Sequence, residues 1–409
     1  MDQLLFLTHR IPFPPDKGDK IRSYHMLQHL RARYRVHLGT FVDEERDWKY
    51  LPELESICED VCARPISPRT RKVRSLTAFL HGEPLSLAYY RDRALAAWVN
   101  QKVDRDGVRK ILVFSSPMAQ YVPDASKDVR AVVDFVDVDS EKWRQYASRH
   151  SWPTNWIYGR EARTLLDFER RTAARSAVSV FVSPDEAELF RSLAPEVRDR
   201  VHDVVNGVDA EFFSPLREYE NPYDPSEIVA VFVGRMDYWA NADAAVWFAE
   251  EVFPAVKARE PRARFAIVGA EPTPNVKKLA QLPGVTVTGR VEDVRPYVFH
   301  SRLAVVPLRV ARGIQCKLLE AMAMARPAVA TYSAVEGIAL PSTLQRFVGE
   351  TPEELQARCL ELMGDSTLAA LLGQQARDFV TARHVWSAQL SRLDGLIDGI
   401  PSGREAVMV

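Results

Sequence analysis

Arg309 to Thr331 reads RVARGIQCKLLEAMAMARPAVAT. It divides into a glycine turn, a short helix, a proline stop and a buried strand. Gly313 supplies the turn, because a residue without a Cβ can take a left-handed conformation or let a ligand approach the backbone. Ile314 to Ala325 place apolar residues at helical spacing, and Pro327 cannot continue the helix. A helix N-terminus after such a turn presents unpaired N–H groups and the positive end of a dipole, which suits a diphosphate. Gly313, Lys317 and Glu320 fall at i, i+4 and i+7 on one face. That face fits phosphate at the turn and vicinal hydroxyls one or two turns further on. A plain surface helix with a solvated lysine and glutamate has the same spacing, so the surroundings must decide.

Outward from this segment, short apolar runs alternate with helical patterns. Strands are predicted at Leu4–Leu7, Val36–Phe41, Ile111–Phe114, Ala131–Val136, Ser179–Val182 and Val201–Val205. A second set follows at Ile228–Val233, Arg264–Val268, Val285–Thr288, Leu303–Pro307 and Ala328–Ala330. Continuous apolar strands separated by helices predict α/β architecture, with parallel sheets covered on both faces. The strands are too many for one doubly wound sheet, and the pattern restarts near residue 228. Just before it, NGVDAEFFSPLREYENPYDPSE is rich in prolines and turn residues. The reading is an N-terminal Rossmann-like domain over 1–205, a linker over 206–227, a second Rossmann-like domain over 228–383 and a helical end over 384–409.

Composition narrows the classes. The 409 residues are 46% hydrophobic and 27% charged, enough to bury real cores. A formal net charge of −1 gives nothing global for nucleic acid to bind. No apolar run approaches the roughly 20 residues of a membrane-spanning helix. The start, MDQLLFLTHRIPFPP, lacks a basic region and cleavage site and reads as a first strand. Cys58, Cys62, Cys316 and Cys359 are too few and scattered for a disulfide framework, and Cys58 and Cys62 lack partners at zinc-ligand spacing. A cytoplasmic protein is expected.

Five stretches in order carry a family resemblance: PFPPDKGDKIRSYHML (12–27), DFVDVDSEKWRQYA (134–147), NGVD (206–209), RGIQCKLLEAMAM (312–324) and ARHVW (382–386). The chain resembles the retaining GT-B glycosyltransferases of glycosyltransferase family 4, and within them the sugar transferases associated with exosortase (PEP-CTERM) and exopolysaccharide systems. The resemblance covers nearly the whole chain. It implies two Rossmann-like domains facing across a cleft, with the last helix packing back on the first domain. It also implies transfer of a sugar from a nucleotide sugar to a glycan or lipid-linked acceptor in cell-envelope biosynthesis, with retained anomeric configuration. No cofactor is expected, the nucleotide sugar being a substrate. By the same resemblance Glu320 holds the ribose and the turn at Gly313 holds the diphosphate, and Ile314 beside it is counted with the donor-binding residues.

Other positions join this candidate site. Gly18, in the loop after the first strand, would let backbone amides approach a phosphate or sugar. Gly234-Arg235 closes the strand Ile228–Val233, and arginine contacts phosphate through two parallel hydrogen bonds. A helix is expected over Ala242–Lys257, with Asn241 as its N-cap. Many relatives carry a lysine a few residues after the arginine; here Lys317 is the expected second cation. Many also have a glutamate at the position of Arg312, so Arg312 reads as a contact to the diphosphate or to an acidic sugar, or as a surface charge. Asp137 and Asp139 follow the strand Ala131–Val136. They read as groups that orient or polarise the acceptor hydroxyl, or as caps of a helix Glu141–Tyr146, in preference to ligands of a metal. His9 reads as a packed or solvated histidine before a base. Arg69 to Arg74, beside Leu76 and Phe79, reads as a solvated loop before a core helix or as a contact to an anionic membrane surface at the inner face of the cell membrane. Catalysis is assigned to Asp137, Asp139, Arg235 and Lys317 and donor binding to Gly18, Gly234, Arg235, Arg312, Gly313, Ile314, Lys317 and Glu320, with no metal site. A nucleotide-sugar epimerase of the same architecture and a non-catalytic nucleotide-sugar-binding partner in a polysaccharide assembly complex are the alternatives.

Overall fold

The computed structural model describes residues 1–15, 17–67, 71, 75–123, 128–311 and 313–399. Its contacts divide the chain into two units, Met1–Val205 joined by the chain from Leu390, and Asn206–Gln389.

The first unit is built on seven strands: β1 (Asp2–Thr8), β2 (Tyr34–Val42), β3 (Asp60–Pro65), β4 (Lys110–Phe114), β5 (Arg130–Val136), β6 (Val178–Phe181) and β7 (Val201–Asp203). They lie in the order β3-β2-β1-β4-β5-β6-β7, all parallel. The second unit holds β8 (Ile228–Val233), β9 (Ala263–Val268), β10 (Val285–Gly289), β11 (Leu303–Val306) and β12 (Ala328–Ala330) in the order β10-β9-β8-β11-β12, again all parallel. Winding reverses beside the first strand of each sheet, between β1 and β4 and between β8 and β11. At such a switch point the loops leaving the carboxyl ends diverge and open a crevice where ligands bind.

The strands that seed the sheets are buried on both faces. Leu4, Leu5, Phe6 and Leu7 of β1 have no exposed surface, and Ala230 and Phe232 of β8 have none either. In the first core Phe135 stacks on Phe181 at 5.4 Å, and Phe181 meets Phe190 at 4.8 Å. In the second, Phe248 and Phe265 meet at 4.7 Å. Among the described residues no helix is long and apolar enough to cross a membrane.

Sequence reading missed β3. Its residues DVCARP sit half-exposed at the sheet edge, so it lacks the apolar run that marks its neighbours. The stretch expected as a linker, 206–227, belongs to the second unit, where Phe213, Tyr219 and Tyr223 pack against its core. The helix expected over Ala242–Lys257 starts earlier, as Trp239–Trp247, then widens into a π turn, Phe248–Val252, before Phe253–Arg259. Pro254 accounts for the widening: it has no N–H for the α ladder, and its ring needs room beside the preceding turn. Asn241 therefore lies inside the helix and does not cap it.

The helix Trp386–Asp398 ends on the first unit. Leu390, Leu393 and Ile397 are buried there. Asp394 bonds His29 Nε2 at 2.9 Å, Asp398 accepts from Tyr34 Oη and Lys110 Nζ at 2.7 Å each, and Arg130 donates to the Leu396 carbonyl at 3.0 Å.

Candidate functional site

In the second unit the candidate residues gather where β8 and β11 end side by side. After β11, Gly313 takes φ 64°, which a side chain would strain, and it is buried. Ile314 is buried beside it. The helix Cys316–Ala323 follows, shorter than the expected Ile314–Ala325, and no side chain caps its N-terminus. Its orphan N–H groups therefore open on the turn. Lys317 and Glu320 line a small pocket with Val231 and Val233 of β8 and Ala304 and Val306 of β11.

Both charged residues keep some surface, but their ends lie among protein atoms. Burial lowers the Lys317 pKa against weaker pulls from Cys316 and Glu320. Burial pushes the Glu320 carboxyl up to about 7, with Lys317 working the other way. Lys317 Nζ reaches Gln315 Oε1 at only 3.4 Å, and among the described residues the Glu320 carboxylate accepts no hydrogen bond. Arg312 lies outside the described residues.

The exit of β8 is held by close packing. Asn241 donates to the Arg235 carbonyl at 2.8 Å, and a Cβ on Gly234 would stand 2.8 Å from that amide nitrogen. Gly269, at φ 151°, passes so close that a Cβ there would come within 1.8 Å of the Gly234 carbonyl oxygen. Arg235 is exposed and forks onto Asp237, Nη2 to Oδ2 at 2.7 Å and Nε to Oδ1 at 3.1 Å. A phosphate would use the same fork. Arg309, leaving β11, holds Asp243 of the helix after β8 at 3.0 Å and lies over Trp247.

In the first unit the carboxyl edge is filled with paired charges. Gly18 is the exposed first residue of the helix Gly18–Leu30, with open space around it and an ordinary φ. His9, stacked on Phe114, bonds Asp19 at 3.2 Å. Arg10 joins Asp19 and also Asp43, at 2.9 Å. Burial works against charge on Asp19, but His9 and Arg10 hold its carboxyl well below the usual range. Lys17 pairs with Glu44, buried Lys20 with Asp47 at 2.6 Å, and buried Arg22 with Asp134 at 2.7 Å.

Asp137 and Asp139 stand at the exit of β5, and Lys142 ties both, at 2.7 and 3.1 Å. Burial opposes the Lys142 charge, yet the two carboxylates keep its pKa above the ordinary value. Asp139 is the first residue of the helix Asp139–Arg149, longer than the predicted Glu141–Tyr146, and Val138 is the capping position. Among the described residues no cluster of three or more His, Cys, Asp or Glu could hold a metal ion. Behind the helix, buried Glu169 accepts Ser140 Oγ at 2.6 Å, and burial pushes its carboxyl up to about 8. Ser115 and Val136, at the exits of β4 and β5, both take positive φ, 79° and 71°. Such strain, about 1–3 kcal/mol each, persists only where the surroundings enforce it. Here Asp134 accepts the Val136 N–H at 2.9 Å while Arg22 holds that carboxylate.

Of the basic cluster, Arg69, Lys72 and Arg74 lie outside the described residues. Arg71 does not face solvent: it donates to the Arg91 carbonyl and to Asp92 at 3.0 Å.

The two parallel sheets, with their switch points, define a GT-B fold. Residues 227–365 match the family model described as glycosyl transferases group 1. Anabaena Alr3699/HepE in complex with UDP and glucose superposes with a TM-score of 0.65 at 14% identity, over 97% of this chain and 100% of that one. WaaG, a glycosyltransferase involved in lipopolysaccharide biosynthesis, gives 0.65 at 15% identity over 98% and 100%. Sucrose-phosphate synthase from Thermosynechococcus elongatus gives 0.65 at 15% over 97% and 99%. No curated protein matches the chain.

Proposed function

We propose that the protein is a glycosyltransferase. It moves a sugar from a nucleotide-diphosphate sugar, held by the second unit, to a glycan or lipid-linked acceptor held by the first, in exopolysaccharide or cell-envelope biosynthesis. The observation that carries the reading is the segment after β11. A left-handed glycine opens an uncapped helix whose Lys317 and Glu320 both line one pocket. The helix N-terminus receives the diphosphate, Glu320 accepts the ribose hydroxyls, and Arg235 and Lys317 stabilise the charge that grows on the departing diphosphate. Asp137 and Asp139 orient the acceptor hydroxyl. The group 1 match over 227–365 and the UDP and glucose held by HepE support the donor class. Retention without a protein nucleophile and without a metal is part of the proposal.

The test is a thermal-shift screen of UDP-, GDP-, ADP- and TDP-sugars, then acceptor screening with the best binder in excess EDTA. Nucleotide release that depends on acceptor supports transfer. Donor consumption without acceptor supports an epimerase, and binding without turnover supports a non-catalytic partner. We place the protein in the cytoplasm, peripheral at the inner membrane face. There Trp156, 55% exposed, stacks on Phe79, which Arg160 also covers, and Trp152 is 80% exposed. Salt-sensitive binding to anionic liposomes is expected, and its absence would remove the membrane from the reading.

A further inference from the structure

We infer that Glu169 is a positioning residue for the acceptor: acting through Ser140, it sets where Asp139 stands and how firmly Lys142 is held. The inference rests on the reading of Asp137 and Asp139 as the groups that orient the acceptor hydroxyl.

The helix Asp139–Arg149 starts without a cap of its own. Its capping position is Val138, whose side chain has no acceptor. Carboxyl groups from two other helices meet the first turn instead. Glu186, of the helix Pro184–Leu193, accepts the Val138 N–H at 2.7 Å. Glu169, of the helix Thr154–Arg175, accepts the Ser140 N–H at 3.3 Å and bonds Ser140 Oγ at 2.6 Å. Both glutamates are buried, Glu169 completely, and Ser140 is buried with them. Asp137, Asp139 and Lys142 keep part of their side-chain surface. The first turn is thus held from behind by buried groups and presents the acceptor-orienting groups in front. A shift of that turn moves Asp139, and Lys142, which bridges Asp139 to Asp137, moves with it.

A glutamine in place of Glu169 could make both bonds to Ser140 with no charge to bury, so what the carboxyl adds is a proton that can leave. Burial holds that proton on and pushes the carboxyl up to about 8; Ser140 and Lys142 work against it, and Asp139 works with it. Asp139 and Lys142 are the charged groups that face Glu169 from the helix in front. On its own helix the neighbouring Arg170 turns away to Glu196, at 2.7 Å, and Glu186 lies on the adjoining amide. Below about pH 8 Glu169 is neutral. Above it a negative charge appears behind the first turn, repels Asp139 and attracts Lys142. Asp139 leaves its place, and the hold on the acceptor weakens.

The first test needs no substrate. Brief labelling of the full chain with acetic anhydride, read by mass spectrometry, gives the reactivity of Lys142 relative to the exposed Lys278 as pH is raised. Ionised Glu169 firms the proton on the Lys142 ammonium, so the ratio should step down about fivefold or more around the Glu169 titration. Glu169→Gln should remove the step. Ser140→Ala, which removes a bond that favours the ionised carboxyl, should move the step to higher pH. No step in the wild type, the same step in Glu169→Gln, or an unmoved step in Ser140→Ala overturns the inference, and the serine variant decides alone if the glutamine variant does not fold. The second test uses the donor and acceptor found by the screen above, with donor saturating. Acceptor KM should rise about fivefold or more across the same titration in the wild type and stay flat in Glu169→Gln. An equal rise in both overturns the positioning role. Absence of any transfer by the wild type breaks the proposed function instead, and the labelling step still decides whether Glu169 governs Lys142.

Discussion

The two sheets share a topology but treat their carboxyl edges differently. In the first unit nearly every charge at that edge has a partner: His9 and Arg10 with Asp19, Lys17 with Glu44, Lys20 with Asp47, Arg22 with Asp134, Lys142 with two aspartates. In the second, Lys317 and Glu320 keep some surface but end among protein atoms and are poorly paired, so each shifts toward its neutral form. A satisfied edge is rigid and holds loops in place. An unsatisfied edge stores a demand that ligand hydroxyls and phosphates can meet, because a buried charge without hydrogen bonds is costly. The contrast supports the proposal that the donor belongs to the second unit.

The largest effect that would break this contrast is on stability. Arg22→Met should destabilise the first unit by about 3–5 kcal/mol, because it strands Asp134 without its cation. Chemical denaturation measures it, and a loss below about 1 kcal/mol would show that the edge is not held by its pairs. The exposed pair in the other unit gives the control: Arg235→Ala should cost about 0–1 kcal/mol of stability while lowering turnover.

Next is affinity. Glu320→Ala should weaken nucleotide-sugar binding by about 10- to 150-fold, the equivalent of roughly 1.5–3 kcal/mol for hydrogen bonds to a carboxylate. Calorimetry reads this directly, and wild-type affinity in a folded variant would remove the ribose role.

The smallest effect, and the sharpest, is on pH. Glu320 and Glu169 both have folded pKa values raised above the ordinary glutamate value, to about 7 and about 8. A carboxyl raised on folding binds more protons in the folded state, so its contribution falls as pH rises from its unfolded pKa through the folded one. Stability should therefore decline between about pH 4.5 and 8, and Glu169→Gln should flatten the upper part of that decline. Donor affinity should move the opposite way. It should rise through pH 7 as Glu320 ionises and becomes a stronger acceptor, and Glu320→Gln should abolish that rise. A nucleotide sugar is the right probe, because its phosphates do not titrate in this range. A pH-independent affinity in the wild type would show that Glu320 is not the acceptor.

The fold was readable because both-face burial leaves a mark in sequence. Most strands, β1, β4, β5, β8 and β11 above all, show apolar runs, and β3 is a half-exposed edge whose pairing with β2 supplies what its composition does not. The segment after β11 was readable for a related reason: turn, helix face and proline stop are local. The charge network of the first unit was not. Arg22 and Asp134 are 112 residues apart, and Lys20 and Asp47 are 27 apart, so no spacing rule links them. Asn241 misled for the same cause. Its residue type suits a cap, but its true partner, the Arg235 carbonyl, is fixed by how the β8 loop folds back. Asp137 and Asp139 stood out in the sequence as an acidic pair, but spacing could not show that Lys142 ties both.

The last helix has a consequence for the order in which the protein is made. Strand β1 precedes the second unit, but the surface formed by His29, Arg33, Tyr34 and Lys110 receives its partners Asp394 and Asp398 only after that unit has been made. During synthesis the first unit must wait through the whole second unit with Leu390, Leu393 and Ile397 missing from its core. The N-terminal half is thus an unfinished body until the segment after the second unit has been made. Early termination anywhere in the second unit would leave it exposed to proteases and aggregation, whatever the state of the donor segment.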